Sequence, residues 1–493
     1  MTHAPGLPLV RGLPIAGPLA ALHALADLPH AFLLHSAMTG PRARWSLFGA
    51  DPFAHVRGGG YDEAVALWRR FAAPAHGAPE DSAPFRGGAV GYWAYDFGRR
   101  LERLPSLAAD DLGLPDVVLG FYDVVGAFDH ATGAAWAYSS GLPLEGRERE
   151  RRARQRLDEF ARRLTAPRPA PAVRAPRVVG APVSTFEEAG YRAAVERVKD
   201  HIRRGDVFQA NLSQRWTARV EPHADAEPPG VLALALFESL ACRSPAPHAA
   251  YFDAGDHAVV SASPERFLAL RGGHVETRPI KGTRPRGRAA AEDESLRREL
   301  EGSAKDRAEN VMIVDVLRND LGRVCATGSV KTTGLCELET FPQVFHLTST
   351  VAGELRRGLD AFDLLHACFP GGSITGAPKI RAMEIIETLE PVRRHLYTGA
   401  IGYLDWRGDA DWSVAIRTAL VTPDTIRFAA GGGITADSEP EAEYAETLHK
   451  AAGLRAALDD LAARSPADAG VAAPAGTAPP VGAGTIPPAH AAR

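Results

Sequence analysis

Residues 277–287 read TRPIKGTRPRG, and the central lysine of this stretch, Lys281, lies between Ile280 and Gly282. An ammonium group that apolar neighbours partly withdraw from water loses solvation, which favours the neutral amine. A neutral amine is a nucleophile, so the pattern predicts a lysine that can bond covalently to a substrate. The alternative is a solvated cation in a surface loop, where most lysines lie. The choice between them depends on which residues the rest of the chain brings to Lys281.

The composition of the chain excludes several classes of protein. It has 493 residues, 45% of them hydrophobic and 24% charged, which is typical of a soluble globular protein of two or three domains. The net charge of −4 argues against a nucleic-acid partner. The apolar runs are too short for a membrane span, and no basic segment leads into an apolar core near Met1. The cysteines form no CxxC pair, so we expect a cytoplasmic protein; they are Cys242, Cys325, Cys336 and Cys368.

Changes in composition divide the chain into four parts. Residues 1–164 contain apolar runs between glycine-rich turns, which predict the strands of a mixed sheet. Residues 165–182 are rich in proline, alanine and arginine and predict a linker. Overlapping capping-box patterns at Ser184–Glu188 predict a helix start, so a second domain should span residues 183–463. Residues 464–493 are mostly small or proline, which predicts a disordered tail.

Two acidic pairs in this second domain suggest a metal site. Asp306 and Glu309 are three residues apart, as are Glu443 and Glu446, so each pair lies on one face of a predicted helix. Carboxylates that converge from two helices suit a hard, octahedral cation such as Mg²⁺. The alternative for each pair is a solvated helix face, and spacing alone does not show that the pairs meet.

Two glycine-rich segments were compared with anion-binding loops. Gly371–Gly376 has the spacing of a phosphate loop, but Ala377-Pro378 replaces the required Lys-Ser/Thr, so nucleotide binding is rejected. Gly431–Gly433 would let backbone N–H groups approach an anionic ligand, because glycine has no Cβ in the way. A tight turn between a strand and a helix is the alternative for this second segment.

Arg417 and Glu265 are further candidates. Arg417 lies in an apolar, strand-like run and needs a partner, either a ligand carboxylate or an internal salt bridge. Glu265 follows the apolar strand candidate Ala258–Val260 and would be a general acid if burial raised its pKa. The alternative for Glu265 is an ordinary turn residue.

In their order along the chain, these motifs resemble those of the chorismate-utilising enzymes, which include anthranilate synthase component I, aminodeoxychorismate synthase component I, and the isochorismate and salicylate synthases. The resemblance implies an α/β fold of the anthranilate synthase component I type. In that fold two large antiparallel β-sheets stack as a sandwich with helices outside, and the N-terminal region contributes to it. The motifs lie at residues 205–213, 263–266, 279–283, 305–322, 371–379 and 431–446.

Two positions indicate a branch of the family. Members that add water to chorismate carry a lysine where this chain has Gln209, and anthranilate synthases are expected to have alanine at the position of Lys281. The resemblance therefore implies the aminodeoxychorismate synthase component I branch, which makes a precursor of 4-aminobenzoate and folate. The segment Gly91–Arg100 also resembles the corresponding segment of that branch. Anthranilate synthase component I and a catalytically silent regulatory subunit that binds chorismate or tryptophan are the alternatives.

The same resemblance implies a role for each candidate residue. Lys281 would be the covalent nucleophile and Glu265 the general acid. Mg²⁺ would be held by Glu309 and Glu446, with Glu443 nearby and Asp306, shorter than the expected glutamate, reaching it through water. Ser36 marks a candidate tryptophan pocket, although His35 stands where anthranilate synthases carry glutamate. The expected substrate-binding residues are Gly282, Thr283, His346, Tyr397, Arg417, Gly432, Gly433 and Lys450.

The source of ammonia is not expected in this chain. A glutaminase needs an activated cysteine, typically in a Gly-x-Cys-x-Gly setting, and no cysteine here has those neighbours. The resemblance therefore implies a separate glutamine amidotransferase subunit that supplies ammonia. The product expected from chorismate is 4-amino-4-deoxychorismate.

Overall fold

The computed structural model describes residues 8–38, 43–73, 83–166, 177–221, 229–341 and 344–463. The strands in these ranges are β1 (Leu9–Gly12), β2 (Phe32–His35), β3 (Trp45–Gly49), β4 (Ala54–Arg57), β5 (Gly88–Trp93), β6 (Val117–Tyr122), β7 (Val124–Asp129), β8 (Ala134–Ser139), β9 (Arg177–Ser184), β10 (Gln209–Glu221), β11 (His248–Asp253), β12 (Ala258–Ser263), β13 (Arg266–Arg271), β14 (His274–Thr277), β15 (Ile280–Pro285), β16 (Lys331–Thr340), β17 (Val344–Glu354), β18 (Gly376–Ala377), β19 (Ala400–Asp405), β20 (Ala410–Val414), β21 (Thr418–Val421) and β22 (Thr425–Ile434).

The α-helices in the same ranges are α1 (Pro18–Leu25), α2 (Tyr61–Phe71), α3 (Gly98–Leu101), α4 (Gly146–Thr165), α5 (Glu188–Arg203), α6 (Pro229–Arg243), α7 (Ala290–Gly302), α8 (Ala304–Gly322), α9 (Ala361–Cys368), α10 (Lys379–Leu389) and α11 (Pro440–Ala463). Within the described ranges, no helix combines the length and the apolar character that a membrane span requires.

The strands form two large antiparallel sheets, as the resemblance implies. The first has the order β1-β8-β7-β3-β2-β11-β12-β21-β22-β10-β18, with β9 paired to β10. The second has the order β15-β17-β14-β13-β20-β19-β5-β6-β4, with β16 paired to β17. Each sheet takes strands from both halves of the chain, so the N-terminal region and the C-terminal region share the same framework.

Side chains alternate between the two faces of the strands, and the inward-facing ones form a core between the two sheets. On β5, Val90 and Tyr92 face a core shared with the first sheet, and Ala89 and Trp93 face the opposite side. This two-residue period is the geometry of a strand that is buried on both faces. From the first sheet, β2 contributes Phe32 to the shared core. The sheets therefore form a sandwich.

Helices cover the outer faces of this sandwich. Outside the first sheet, α1, α4, α6 and α11 pack on an apolar cluster that includes Leu22, Phe160, Leu236 and Leu458. Outside the second sheet, α2, α8, α9 and α10 supply Trp68, Leu317, Leu365 and Met383 to another cluster. The predicted fold class is therefore confirmed.

The chain passes twice from one sheet to the other at neighbouring positions, and these crossings position the site. One crossing joins β12 to β13, and the other joins β20 to β21. The two hold each other, because the backbone N–H of Val414 donates to the Glu265 carbonyl and that of Ala262 donates to the Arg417 carbonyl, both at 3.0 Å. The crossings thus bring together two candidates that are far apart in sequence.

Two predicted boundaries differ from the structure. Strand β9 includes residues 177–182, which the sequence analysis placed in the linker, because the segment pairs with the long strand β10. The helix predicted from Ser184 begins at Glu188, since the Ser184 hydroxyl donates to Gln214 Oε1 at 2.6 Å rather than capping the helix. Residues 167–176 of the predicted linker and the predicted tail, 464–493, lie outside the described ranges.

Candidate active site

Glu265 lies in the first crossing and is buried, with 5% of its surface exposed. Ser373 Oγ donates to Glu265 Oε1 at 2.6 Å, and the Ile280 backbone also hydrogen-bonds to the carboxylate. Burial raises the pKa of Glu265 to about 7, although these hydrogen bonds and the Lys281 ammonium oppose the rise. A carboxylic acid that is still protonated near neutral pH has the property that general acid catalysis needs.

Lys281 lies on β15, where it is half-buried, and its ammonium and the Glu265 carboxylate act on each other electrostatically. Burial lowers the pKa of its amine, and the Lys450 ammonium lowers it further, whereas Glu309 and other nearby carboxylates act in the opposite direction. Lys281 is therefore not the solvated surface cation of the alternative interpretation. Its neighbour Gly282 has φ 91°, and a Cβ there would lie 3.0 Å from Asp306 Cβ, so glycine allows β15 to pass close to α8.

Arg417 occupies the second crossing in a left-handed backbone conformation, with φ 53°. No described residue makes an ion pair or hydrogen bond with its guanidinium group, so the internal salt bridge of the alternative interpretation is not formed within the described residues. Burial lowers the pKa of Arg417, and Tyr397 and Glu446 are the ionisable groups that oppose this shift. A partly buried arginine held in a strained conformation without a protein partner is suited to an anionic ligand.

The glycines at 431–433 lie within strand β22 and not in the tight turn of the alternative interpretation. A Cβ on Gly432 would lie 2.9 Å from Glu443 Oε2, and one on Gly433 would lie 2.2 Å from Gln209 Nε2. A Cβ at either position would therefore displace polar side chains that pack directly against the strand. Lys450 Nζ donates to the Gly431 carbonyl at 2.9 Å and pairs with Glu446 at 2.5 Å.

Thr283 and His346 lie opposite each other on the paired strands β15 and β17. Thr283 Oγ1 and His346 Nδ1 are 2.9 Å apart and share a hydrogen bond. Burial and the nearby Arg417 guanidinium lower the pKa of His346 to about 4, so its imidazole is neutral at neutral pH. The structure thus brings His346 close to Arg417, as expected for residues that line one site.

The four predicted metal-binding carboxylates are only partly brought together. Glu309 on α8 and Glu446 on α11 act on each other electrostatically, and burial raises the pKa of Glu309. Burial also raises the pKa of Glu443, whose Oε1 accepts a 2.6 Å hydrogen bond from Ser438 Oγ. Asp306 lies 3.3 Å from an Arg284 nitrogen in an ion pair, and it also acts electrostatically on Glu309.

The carboxylate oxygens of this arrangement are the type of ligand that Mg²⁺ prefers, but they do not form a complete coordination shell. Within the described part of the chain, no three histidine, cysteine or acidic side chains stand together as ready metal ligands. Mg²⁺ in enzymes is commonly held by one or two carboxylates, with water and substrate oxygens completing the octahedron. Glu309 and Glu446 satisfy that requirement, and a cation between them would relieve their mutual repulsion.

The structure places several residues in the site that the sequence patterns do not identify. Ser373, whose hydroxyl binds Glu265, lies inside the segment 371–379 that was compared with a phosphate loop. Lys379 at the end of this segment donates to Asp320 at 2.7 Å and so has a structural role. Arg394 and Glu390 form a buried ion pair, and Arg394 also donates to the carbonyl groups of Ile374 and Asn211. The only sequence feature that marks these positions is that a polar residue stands among apolar neighbours.

Ser36 lines a cavity of about 410 Å³ between the two sheets, where tryptophan was predicted to bind. Its hydroxyl donates to the Trp45 carbonyl at 2.9 Å, and His35 Nδ1 lies 2.8 Å from Ser46 Oγ. The cavity contains none of the predicted catalytic or metal-binding residues. Occupation of this cavity by tryptophan stays a prediction.

Comparison with known proteins identifies the family. Residues 30–456 match the family described as chorismate binding enzyme. The chain belongs to this family. This chorismate-binding enzyme is 41% identical over 453 residues to aminodeoxychorismate synthase component 1 of Salmonella typhimurium, covering 88% of this chain and 94% of that one. It is also 41% identical over 457 residues to anthranilate synthase component 1 of Thermus thermophilus, covering 90% of this chain and 95% of that one.

The fold of this chorismate-binding enzyme is likewise similar to that of a solved relative. The crystal structure of anthranilate synthase component I from Streptococcus pneumoniae superposes with a TM-score of 0.72 at 33% sequence identity. The match covers 85% of this chain and 93% of that structure. Relatives with two different names are thus equally similar, so overall similarity does not decide which reaction this chain catalyses.

From the absence of an ion-pair partner for Arg417 among the described residues, we predict that its guanidinium group binds chorismate. Arg417→Gly should weaken chorismate binding at least about tenfold, because hydrogen bonds to charged groups contribute about 1.5–3 kcal/mol. The free energy of unfolding should change by less than about 1 kcal/mol, since no protein partner is lost and glycine suits a positive φ. Calorimetric titration with chorismate and urea denaturation measure the two effects.

Arg266→Ala is the matched control for this variant. Arg266 pairs with Asp411 and Glu276, each at 3.0 Å, so its removal should lower stability by several kcal/mol. A loss of stability in Arg417→Gly as large as in the control, or unchanged chorismate binding, would contradict a ligand-binding role for Arg417.

Proposed function

We propose that this chain is the chorismate-aminating component of an aminodeoxychorismate synthase, which converts chorismate and ammonia to 4-amino-4-deoxychorismate. The proposal rests on one observation: a lysine amine with a lowered pKa, Lys281, faces a carboxylic acid, Glu265, whose pKa is about 7. An amine that is readily deprotonated and an acid that is readily protonated are the two groups that a covalent displacement of hydroxide requires.

In the first step, the neutral Lys281 amine attacks C2 of the chorismate ring. The C2–N bond forms, both ring double bonds of chorismate (C1=C2 and C5=C6) shift by one position to C1=C6 and C4=C5, and the C4–O bond breaks. Hydroxide is a poor leaving group, so Glu265 donates its proton and the oxygen leaves as water. This step leaves the substrate bound covalently to Lys281 and the Glu265 carboxylate ionised.

In the second step, ammonia attacks C4 and both ring double bonds shift back to C5=C6 and C1=C2. The C2–N bond breaks, Lys281 leaves as the free amine, and the surplus proton of the added nitrogen returns to Glu265. The sum of both steps is chorismate plus ammonia giving aminodeoxychorismate plus water. Two successive displacements restore the original configuration at C4.

Substrate recognition and Mg²⁺ complete the proposed site. The carboxylates of chorismate would be bound by Arg417, Lys450 and the backbone at Gly432 and Gly433, with Tyr397 alongside. Thr283 and His346 would line the ring. Glu309 and Glu446 would hold Mg²⁺, with Glu443 nearby, and the ion would neutralise the ring carboxylate. Asp306, held by Arg284, would contribute at most through water.

Ammonia would come from a second protein. The relatives named component 1 support a two-component enzyme, and we propose that the partner is a glutamine amidotransferase. Two of the four cysteines agree with this division, since burial raises the pKa of the Cys325 and Cys368 thiols and so opposes their activation.

Anthranilate synthase component I is the second candidate, because relatives with that name are equally similar over the same length. Purified protein, chorismate, Mg²⁺ and an ammonium salt distinguish the two. We expect no fluorescent anthranilate, and we expect 4-aminobenzoate only after a separate lyase is added; a chelator should abolish chorismate consumption. Anthranilate formed without the lyase would contradict the proposal.

Replacement of Lys281 tests the covalent step. Lys281→Ala should lower the rate of aminodeoxychorismate formation by at least about 100-fold, or about 2.7 kcal/mol, while chorismate still binds. With ammonia omitted, mass spectrometry of the intact wild-type protein should find an adduct of chorismate less one water. Lys331→Ala, which changes an exposed lysine on β16, is the control and should keep full activity. Full activity of Lys281→Ala would rule out covalent catalysis by this residue.

The raised pKa of Glu265 predicts a pH dependence. The acid is protonated below its pKa of about 7, so kcat/KM for chorismate should fall as pH rises through that value. Glu265→Gln cannot donate a proton and should lower kcat by about 10²–10⁴. It should also remove this alkaline decline. A variant that keeps the same decline would show that another group titrates.

A further inference from the structure

Carboxylates from α8 and α11 meet beside strand β22. A Cβ on Gly432 would lie 2.9 Å from Glu443 Oε2 and 3.3 Å from Glu446 Oε1, so these two oxygens lie close to the same point of the strand. Glu309 on α8 acts electrostatically on Glu446. Carboxylates that are this close repel one another unless cations lie near them. Three lysines supply positive charge there, namely Lys281, Lys305 and Lys450.

Two of these lysines are fixed parts of the site. Lys450 Nζ donates to the Gly431 carbonyl at 2.9 Å and also pairs with Glu446, so it would lose both contacts by turning away. Lys281 is half-buried on the sheet strand β15, which limits the movement of its side chain. Neither lysine can therefore leave the carboxylates easily.

Lys305 differs from both in its freedom to move. It lies in the first turn of α8, and 50% of its side-chain surface is exposed. Its Nζ is 4.0 Å from Glu309 Oε1, one helical turn further along α8. An ion pair this long at an exposed position contributes little to stability. The flexible lysine side chain can therefore turn its ammonium group into water at small cost.

The charge of Lys305 acts on carboxylates of both helices. Burial raises the pKa of Glu309 and of Glu443, and the Lys305 ammonium opposes both rises. Burial acts in the same direction on Glu446, but the Lys450 ammonium, together with Lys281 and Lys305, outweighs it and lowers the pKa of that carboxylate. Lys305 is thus a counter-ion that three carboxylates share.

We propose that Lys305 is an exchangeable counter-ion of the metal-binding carboxylates, which turns outward when Mg²⁺ binds and so sets the affinity for the ion. Mg²⁺ brings two positive charges to carboxylates that Lys305 already helps to neutralise, and cations repel one another. Lys305 is therefore a competitor of the ion and not a ligand. The inference rests on the proposed Mg²⁺ site and adds a residue that determines how tightly this site holds its ion.

Calorimetric titration of the whole chain with Mg²⁺ alone tests this inference. Lys305→Met removes the charge and keeps an unbranched side chain, so the Kd for Mg²⁺ should fall about tenfold at low ionic strength. Added salt should reduce this difference, because exposed charges are screened. Lys305→Arg keeps the positive charge and should bind Mg²⁺ like the wild type. Lys331→Met, which changes an exposed lysine on β16, is the matched control and should also leave the Kd unchanged.

Urea denaturation separates this role from a merely structural one. With a chelator present, Lys305→Met should unfold at a lower urea concentration than the wild type, because the three carboxylates have lost a counter-ion. At saturating Mg²⁺ the difference should disappear or reverse, since the variant gains more stability from the ion that it binds more tightly. Loss of a structural contact would instead lower stability equally under both conditions.

The outcomes distinguish this inference from the proposed function. Unchanged or weaker Mg²⁺ binding by Lys305→Met, with normal binding by the wild type, would overturn the role of Lys305 alone. Anthranilate as the wild-type product would overturn the proposed function and leave the role of Lys305 standing, because the titration contains no substrate. A wild-type protein that binds no Mg²⁺ would overturn both the inference and the proposed metal site.

Discussion

The active site depends on the place where the chain passes twice between its two sheets. The crossing from β12 to β13 carries Glu265, the crossing from β20 to β21 carries Arg417, and backbone hydrogen bonds of 3.0 Å tie the two crossings together. The Ser263 hydroxyl adds a third tie by donating to the Val414 carbonyl at 2.6 Å. Because each crossing is anchored by strands in both sheets, Glu265 and Arg417 are held by the rigid framework and not by a mobile loop.

Burial gives this framework its chemical effect. The same withdrawal from water lowers the pKa of Lys281 and raises the pKa of Glu265, because it disfavours the charged form of each. These opposite pKa shifts favour a neutral amine and a protonated carboxylic acid, which are the states that a covalent displacement uses. The buried pair of Arg394 and Glu390 balances its own charges and holds the Ser373 loop against β10, so the acid is kept in a fixed polar environment.

The sequence and the structure disagree where long-range pairing overrides local patterns. The proline-rich segment before Ser184 reads as a linker, yet residues 177–184 add to the edge of β10 because that strand offers unpaired backbone groups. Asp306 and Glu309 look equivalent on one helix face, but only Asp306 pairs with Arg284 from β15, whereas Glu309 lies 4.0 Å from Lys305 Nζ. In both cases the competing partner is distant in sequence, so no local pattern could have revealed it.

The sequence by itself determined the family, the sandwich of two antiparallel sheets and the chemical identity of the candidates, because these depend on residue types in a fixed order. It also singled out Lys281, the glycines of β22 and the acidic pairs. Only the tertiary structure decided which side chains act together. It brought Lys281 within electrostatic range of Glu265, left Arg417 without an ion-pair partner among the described residues, and joined Gln209 to Glu265 through Asn211 and Ser373. The physical reason is that pKa values and the direction of a carboxamide are set by neighbours in space, and some of those neighbours are distant along the chain: Ser373 is 162 residues from Asn211 and 108 from Glu265.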